Sequence, residues 1–495
     1  MLSAALHGVT VKLQDELKRA SPSAAAVEAA ALQVLSRSRE ITTALRRDKS
    51  LSFSFDKADA GYHEAVAGVL VAKPGTGAGG AVSEAALEAM LEAYSSLATV
   101  CSVTMFQQLV ETKQMLAGLV AVIQTRASGA VVHAVFLLSQ LALVGPETAQ
   151  RISLLPGLAE ACCRSITGGR QTGTKSESLA LNTALMVNNV SALGGEEAIQ
   201  ALTAHGELVR ELGAWLDNAS DAETLQRLAG VFNHLSRSIQ SARALHAHGI
   251  MKALERVTAR KVGGSVESHQ AYHGLANMAM ANIAVRQVKQ KNVRLDSTQK
   301  PAVKSVVSFL KLAIEGRQLS GIYFRVYDVL FALDSLSKYN DRDLLGIECG
   351  LVDLAVQVTA EWTPGKYSSI FSDAKASTHP VLELSTDILM HLAHSEACNA
   401  RMHALGLESA LDRLLLTEDQ GIVRDHSLKV LYVLRDRKEV KECALKIIQA
   451  VSDLQGVSEK YGYSSASSAN KHKQMAVWLT AKMRDNAVEV AVPLP

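Results

Sequence analysis

Three groups of residues in this 495-residue chain have types and spacing that chemistry could use. Gly75-Thr76-Gly77-Ala78-Gly79-Gly80 satisfies GxGxxG, follows the apolar run Val69-Leu70-Val71-Ala72 and precedes a helix predicted from near Ser83. In a dinucleotide site such glycines let a pyrophosphate approach the amino end of a helix. The wider pattern departs from that site, because residues 81–100 lead into more helical sequence and no second strand ends in an acidic ribose ligand about 20 residues on. A strand just before Gly75 would favour a nucleotide-binding enzyme, and a helix there would remove its support. Gly168 to Ser176 approaches the phosphate-loop pattern, but Lys175 arrives one residue late and an apolar helix precedes it. His391, His394 and Cys398, with His403 beyond, have a helical spacing that could present metal ligands on one face. His246 and His248 form a further pair, at a repeat junction that suits capping better than ligation. No GxSxG, HExxH or compact Ser/His/Asp arrangement is present. The resulting expectation is a non-enzymatic chain with no cofactor and no metal.

His391 belongs to a more extensive pattern. Six times a polar residue, an aliphatic one and then Ala or Ser close an apolar helical run: Gln140-Leu141-Ala142, Asn189-Val190-Ser191, His234-Leu235-Ser236, Asn282-Ile283-Ala284, Ser335-Leu336-Ser337 and His391-Leu392-Ala393. The intervals read off the numbering are 49, 45, 48, 53 and 56 residues, in the range of helical solenoids. Gly118, Gly157, Gly206, Gly249, Gly350 and Gly406 each stand before an aliphatic-rich helix start, where a turn between helices favours glycine. The unit near Pro301 lacks this glycine and opens its helix with proline.

Composition agrees with helices packed through small side chains: hydrophobic residues make up 48%, aromatic ones only 4%, with nine prolines. A formal charge of +2, from 51 basic and 49 acidic residues, gives no overall field for nucleic acid or an anionic membrane. The six cysteines form no CxxC pair, which fits a reducing compartment without a disulfide framework. No run approaches the roughly 20 apolar residues that span a bilayer. Residues 1–13 are mildly apolar, but Asp15 and Glu16 follow at once, against a signal peptide. The expected compartment is the cytoplasm, with a cytoskeletal, ciliary or mitochondrial setting as variants, the last because Lys12, Lys18 and Arg19 lie on a short amphipathic stretch.

Three regions follow. Residues 1–80 form a helical region with the glycine-rich loop, and Ser21-Pro22-Ser23 separates helices near 2–19 and 24–47. Residues 81–440 form the repeats, with length variation in loops at 167–178, 260–267 and 361–379. Residues 441–495 form a capping helix, a Ser-rich linker and a tail helix with Trp478.

The triplets and glycines over roughly Glu84 to Glu439 resemble the armadillo repeat family, with HEAT repeats as runner-up. Tetratricopeptide arrays repeat at about 34 residues and fit poorly. The resemblance implies an all-α, right-handed solenoid of six or seven units, each with a short helix and two longer ones, the third lining a groove. In that family an asparagine on the third helix commonly holds the main chain of an extended peptide, and Asn189 and Asn282 match it. Gln140, His234, Ser335 and His391 occupy the equivalent places with altered chemistry. The family's nuclear-import adaptors pair such asparagines with tryptophans. Here Trp215, Trp362 and Trp478 stand at no triplet spacing.

The functional expectation is a scaffold or adaptor that binds an extended or helical segment of another protein through those six residues. The alternatives are a structural subunit of a cytoskeletal or ciliary assembly, or the nucleotide-binding enzyme. The second use of the polar positions is to bond neighbouring helix carbonyls and set register between repeats. Arg286, Lys289, Lys291 and Arg294 form a basic run that suits an acidic peptide or phosphate, without the interleaved aromatics of a single-strand nucleic-acid site.

Overall fold

A computed structural model describes residues 2–18, 23–48, 60–71, 82–99, 106–112, 114–125, 129–171, 174–260, 262–286, 300–319, 322–338, 341–363, 365–367 and 379–417, with 427, 430 and 431. The chain divides into two compact units, Met1–Ser265 and Val266–Pro495.

In the first unit the repeat is a short helix followed by two longer ones. Pro146–Ser153, Leu158–Gln171 and Thr174–Leu193 make one unit, and Gly195–Ala204, Gly206–Asn218 and Ala222–Leu235 make the next. Each element packs on its counterpart in the neighbouring repeat, so third helix stacks on third and second on second. Ala24–Arg47, Glu84–Ala98, Gly129–Ala142, Thr174–Leu193 and Ala222–Leu235 form one continuous row of third helices. The stack therefore starts well before residue 81: Ala24–Arg47 already packs on Glu84–Ala98, and Ala60–Val71 packs on Met115–Thr125. The close approach explains the alanine-rich composition. Ala130, Ala134, Ala184 and Ala229 are all fully buried on these helices, where larger side chains would hold the backbones apart.

Local sequence sets where the helices begin. Ser23 Oγ accepts from Ala26 N–H at 3.4 Å, Ser83 Oγ from Ala86 N–H at 3.1 Å, and Asp221 Oδ1 from Thr224 N–H at 2.8 Å. Ser83 also donates to Glu28 at 2.6 Å, tying the caps of neighbouring helices. Gly157, Gly249, Gly350 and Gly406 have φ of 75°, 74°, 78° and 71°, the left-handed turn that leads into each second helix. Two of the expected glycines act otherwise. Gly206 is the first residue of its helix, and Gly118 lies inside Met115–Thr125, where an added Cβ would meet Leu70 Cβ at 2.6 Å. The left-handed position in that repeat belongs to Gln114, with φ of 68°, so the glycine pattern was out of register there.

The second unit repeats the plan with more irregular joints. Val266–Arg286, Val326–Ser337 and His379–Leu392 form its row of third helices. The first helix of one repeat is reduced to a π-helical turn, Leu344–Glu348, before Leu351–Glu361. A two-strand hairpin, Gln318–Leu319 with Ile322–Tyr323, joins Lys300–Ile314 to the next third helix, a small departure from the all-helical expectation. Trp362 is buried against Leu382 and Leu414, and so anchors the start of the insertion expected at 361–379. The loop expected at 167–178 is nearly all helix, since Leu158–Gln171 and Thr174–Leu193 enclose only two residues. The region from 441 on lies outside the described residues.

Gly274 in Val266–Arg286 gives a direct test of this packing. A Cβ there would lie 1.8 Å from Phe309 Cε2 on Lys300–Ile314, and Phe309 is itself stacked on Phe324 with ring centroids 4.3 Å apart. Helix propensity alone would make Gly274→Ala stabilising by about 1 kcal/mol. Overpacking costs about 1–3 kcal/mol and opposes it. The expected result is a net loss of denaturant stability; a gain would show that the two helices do not press together at this point.

Candidate functional site

The third helices expose one stripe each between their buried flanks. On Gly129–Ala142 the half-buried residues include Val132, His133, Phe136 and Gln140. On Thr174–Leu193 they include Leu181, Asn182, Leu185 and Asn188. These positions recur at three and four residues, so each set lies along one face of its helix. Because the two helices pack side by side, the stripes form a surface with apolar Val132, Phe136, Leu181 and Leu185 set among the amides of Gln140, Asn182 and Asn188. On the neighbouring Glu84–Ala98 the stripe is acidic, with half-buried Glu88 and Glu92, the latter paired with Arg39. Burial lowers the His133 pKa, while Glu92 and Glu88 act in the opposite sense. His133 therefore stays neutral near pH 7.

The six triplet residues fall into two settings. Asn189 is 8% exposed, and its Nδ2 donates to the Ser139 carbonyl at 3.1 Å and to Ser139 Oγ at 3.3 Å on the preceding third helix. Its amide thus crosses the repeat boundary. Asn282 is buried in the second unit, and Ser335 is buried with its hydroxyl donating to the Phe331 carbonyl one turn back at 3.0 Å. Gln140, His234 and His391 are half-buried and face outward on their helices. Sequence reading passed over Asn182 and Asn188 in the first unit, and Asn277 in the second, which stands half-buried where Asn282 does not. The signal that would have found them is the outward stripe one and two turns before the triplet, at positions filled by Phe136, Leu185 and Phe331.

In the second unit the open stripe of Val326–Ser337 carries Tyr327 and Phe331, with ring centroids 5.9 Å apart. Arg325 holds the buried Asp328 through two bonds, at 2.7 and 3.0 Å, and Lys338 pairs with the buried Asp334 at 2.7 Å. His391 lies beside that lysine. Burial first, and then Lys338, push its pKa down to about 4.

Val69, Leu70 and Val71 end the helix Ala60–Val71, so the apolar run ahead of the glycines is helical as far as it is described; residues 72–80, with the glycine loop, lie outside the described residues. Gly168 continues a helix, which contradicts a phosphate loop there. Cys398 is buried and directs its thiol to the Arg342 carbonyl at 3.3 Å, while His403 pairs with Glu408. Among the described residues no three His, Cys, Asp or Glu side chains converge as metal ligands. Arg286 ends its helix, and Lys289, Lys291 and Arg294 lie outside the described residues. No helix among the described residues is long and apolar enough to cross a membrane.

Two outcomes test these assignments. Asn189→Ala should cost about 1–2 kcal/mol, because a buried cross-repeat bond is lost, whereas Asn188→Ala should stay within about 0.5 kcal/mol; denaturant midpoints compare them. Burial holds the His391 pKa at about 4, below the usual histidine value of 6.5. Between those values the unfolded chain binds a proton that the folded chain rejects, so stability falls as pH is lowered through the window. The difference between wild type and His391→Gln, measured by urea unfolding across it, should shrink as pH falls; a constant difference would place His391 in a solvated setting.

Neither a family model nor a curated protein matches the chain. A crystal structure of an engineered protein from the Northeast Structural Genomics Consortium is similar at a TM-score of 0.52, with 16% identity over 96% of this chain and 99% of that one. A designed armadillo repeat protein in complex with the peptide (KR)4 matches at 0.39, with 19% identity over 54% of this chain and 98% of that one. A structure concerning a phosphorylation switch in the interaction between cadherin and β-catenin matches at 0.49, with 12% identity over 91% and 78%. At such identities the likeness is one of fold. The first of these similarities agrees with the stacked three-helix units in showing an all-α solenoid of helical repeats.

Proposed function

We propose that the chain is a non-enzymatic scaffold or adaptor that holds an extended or helical segment of another protein on the open faces of its third helices. The observation that carries this reading is the surface of the first unit, where Val132, Phe136, Leu181 and Leu185 lie half-buried among Gln140, Asn182 and Asn188. Apolar side chains supply area to a partner. Side-chain amides both donate and accept, and so match the main chain of an extended peptide. In this reading the outward members of the triplet set, Gln140, His234 and His391, contact the partner. Asn189, Asn282 and Ser335 hold the helices that present them.

The non-enzymatic part of the reading is supported by the helix Ala60–Val71, which stands where a dinucleotide site would have its first strand. A cytoplasmic adaptor and a fixed component of a larger assembly both use such a surface, and the partner distinguishes them.

Affinity purification followed by cross-linking tests the reading. Cross-links should cluster around the third helices, and Leu185→Asp with Asn188→Ala should reduce partner capture at least about tenfold, since interface anchors of this kind are worth 1 kcal/mol or more each. Circular dichroism should remain unchanged in that variant. Cross-links confined to the short first helices, or capture unaffected by the double variant, would place the binding surface elsewhere.

A further inference from the structure

The open face of Val326–Ser337 is more aromatic than those of the first unit. Tyr327 and Phe331 stand half-buried one turn apart, with ring centroids 5.9 Å apart, and Met280 is half-buried on the neighbouring Val266–Arg286. On the other side His379–Leu392 presents half-buried Glu383 and Asp387, four residues apart and so on one side of their helix. Arg325 and Lys338, the cations at the ends of the aromatic helix, are matched by Asp328 and Asp334. The face thus joins an aromatic centre to an acidic margin. The chain itself carries a segment of complementary character. Residues 471–484 contain Lys471, Lys473, Lys482 and Arg484 and no acid, although the whole chain has a formal charge of only +2. Within this segment Met475, Trp478, Leu479 and Met483 recur at three and four residues, the period of an apolar helix stripe, and Lys482 falls on the same side as Trp478.

We propose that residues 471–484 dock as a helix on the open face of Val326–Ser337, with Trp478 on Tyr327 and Phe331 and Lys482 beside Glu383 and Asp387. Segment and face belong to the same compact unit. Roughly 40 residues separate Leu431 from Met475, and a chain of that length reaches up to about 130 Å. Neighbouring helices lie about 8–10 Å apart, so the reach is ample. A tethered segment also meets its site at an effective concentration near millimolar for short linkers and lower for longer ones, which favours it over a separate partner present at micromolar levels. Tryptophan and tyrosine are the side chains that most often anchor such contacts. The inference rests on the reading of the open stripes as binding faces and adds their regulation: a partner of the second unit must first displace the tail.

A fluorescently labelled synthetic peptide of residues 471–484, titrated into the full chain and followed by anisotropy, tests the contact. The Trp478→Asp chain should bind it saturably, and wild type at least about tenfold more weakly, because its own tail holds the face. Adding Phe331→Asp or Asp387→Lys to Trp478→Asp should weaken the peptide on the order of tenfold. Circular dichroism reports whether Phe331→Asp still folds, and the charge reversal decides the matter if it does not. Wild type should sediment as a monomer. The contact is overturned by absent binding to Trp478→Asp, by equal binding to wild type, by indifference to the face substitutions, or by a wild-type dimer that Trp478→Asp abolishes. No partner takes part, so failure here leaves the scaffold reading standing, and failed partner capture leaves this contact standing.

Discussion

A third helix in this chain buries two flanks at once, one against the repeat before it and one against the repeat after. Thr174–Leu193 illustrates the requirement: it packs on Gly129–Ala142 on one side and on Ala222–Leu235 on the other. No single repeat can satisfy that alone, so the stack is the smallest stable body. Close approach across each boundary demands small residues on the flanks, and the buried alanines at 130, 134, 184 and 229 supply them. The same demand leaves one stripe of each helix uncovered. The candidate binding surface is thus a by-product of the packing, and its shape follows from the spacing of the helices.

Polar groups at the boundaries keep this apolar packing in register. Alanine and leucine flanks can slide with little penalty, but the Asn189 amide donates across the boundary to Ser139 alone among the described residues of the neighbouring repeat. Gln124 plays a comparable part between second helices, donating to the Gly157 carbonyl at 3.0 Å and covering the turn there. Arg260 does so near the end of the first unit, with bonds to the Ala219 and Asp217 carbonyls at 2.9 and 2.7 Å. Each of these bonds adds little net stability. Their value is that a slipped alignment would leave the same groups buried and unsatisfied.

The role of a polar side chain depends on a rotation of about 100° per residue around the helix, and sequence spacing resolves that poorly. Asn188 and Asn189 are adjacent, yet the first faces outward and the second reaches across a repeat boundary. In Val266–Arg286 the buried asparagine is Asn282 and the outward one is Asn277. A ladder read from the triplets alone therefore mixes residues that hold the scaffold with residues that could meet a partner. The misassigned Gly118 has a similar origin. Glycine serves both turns and close contacts, and only the neighbouring Leu70 shows which use applies.

The sequence by itself determined the helical class, the repeat period near 50 residues and the turns at Gly157, Gly249, Gly350 and Gly406. These follow from local rules of periodicity and backbone conformation that act within a few residues. Only the tertiary structure decided that stacking begins at Ala24–Arg47, that Gln114 takes the left-handed turn, and that Asn189 is spent on Ser139. Those outcomes depend on contacts between residues some fifty positions apart, where helix spacing settles which side chain is covered and which is left open.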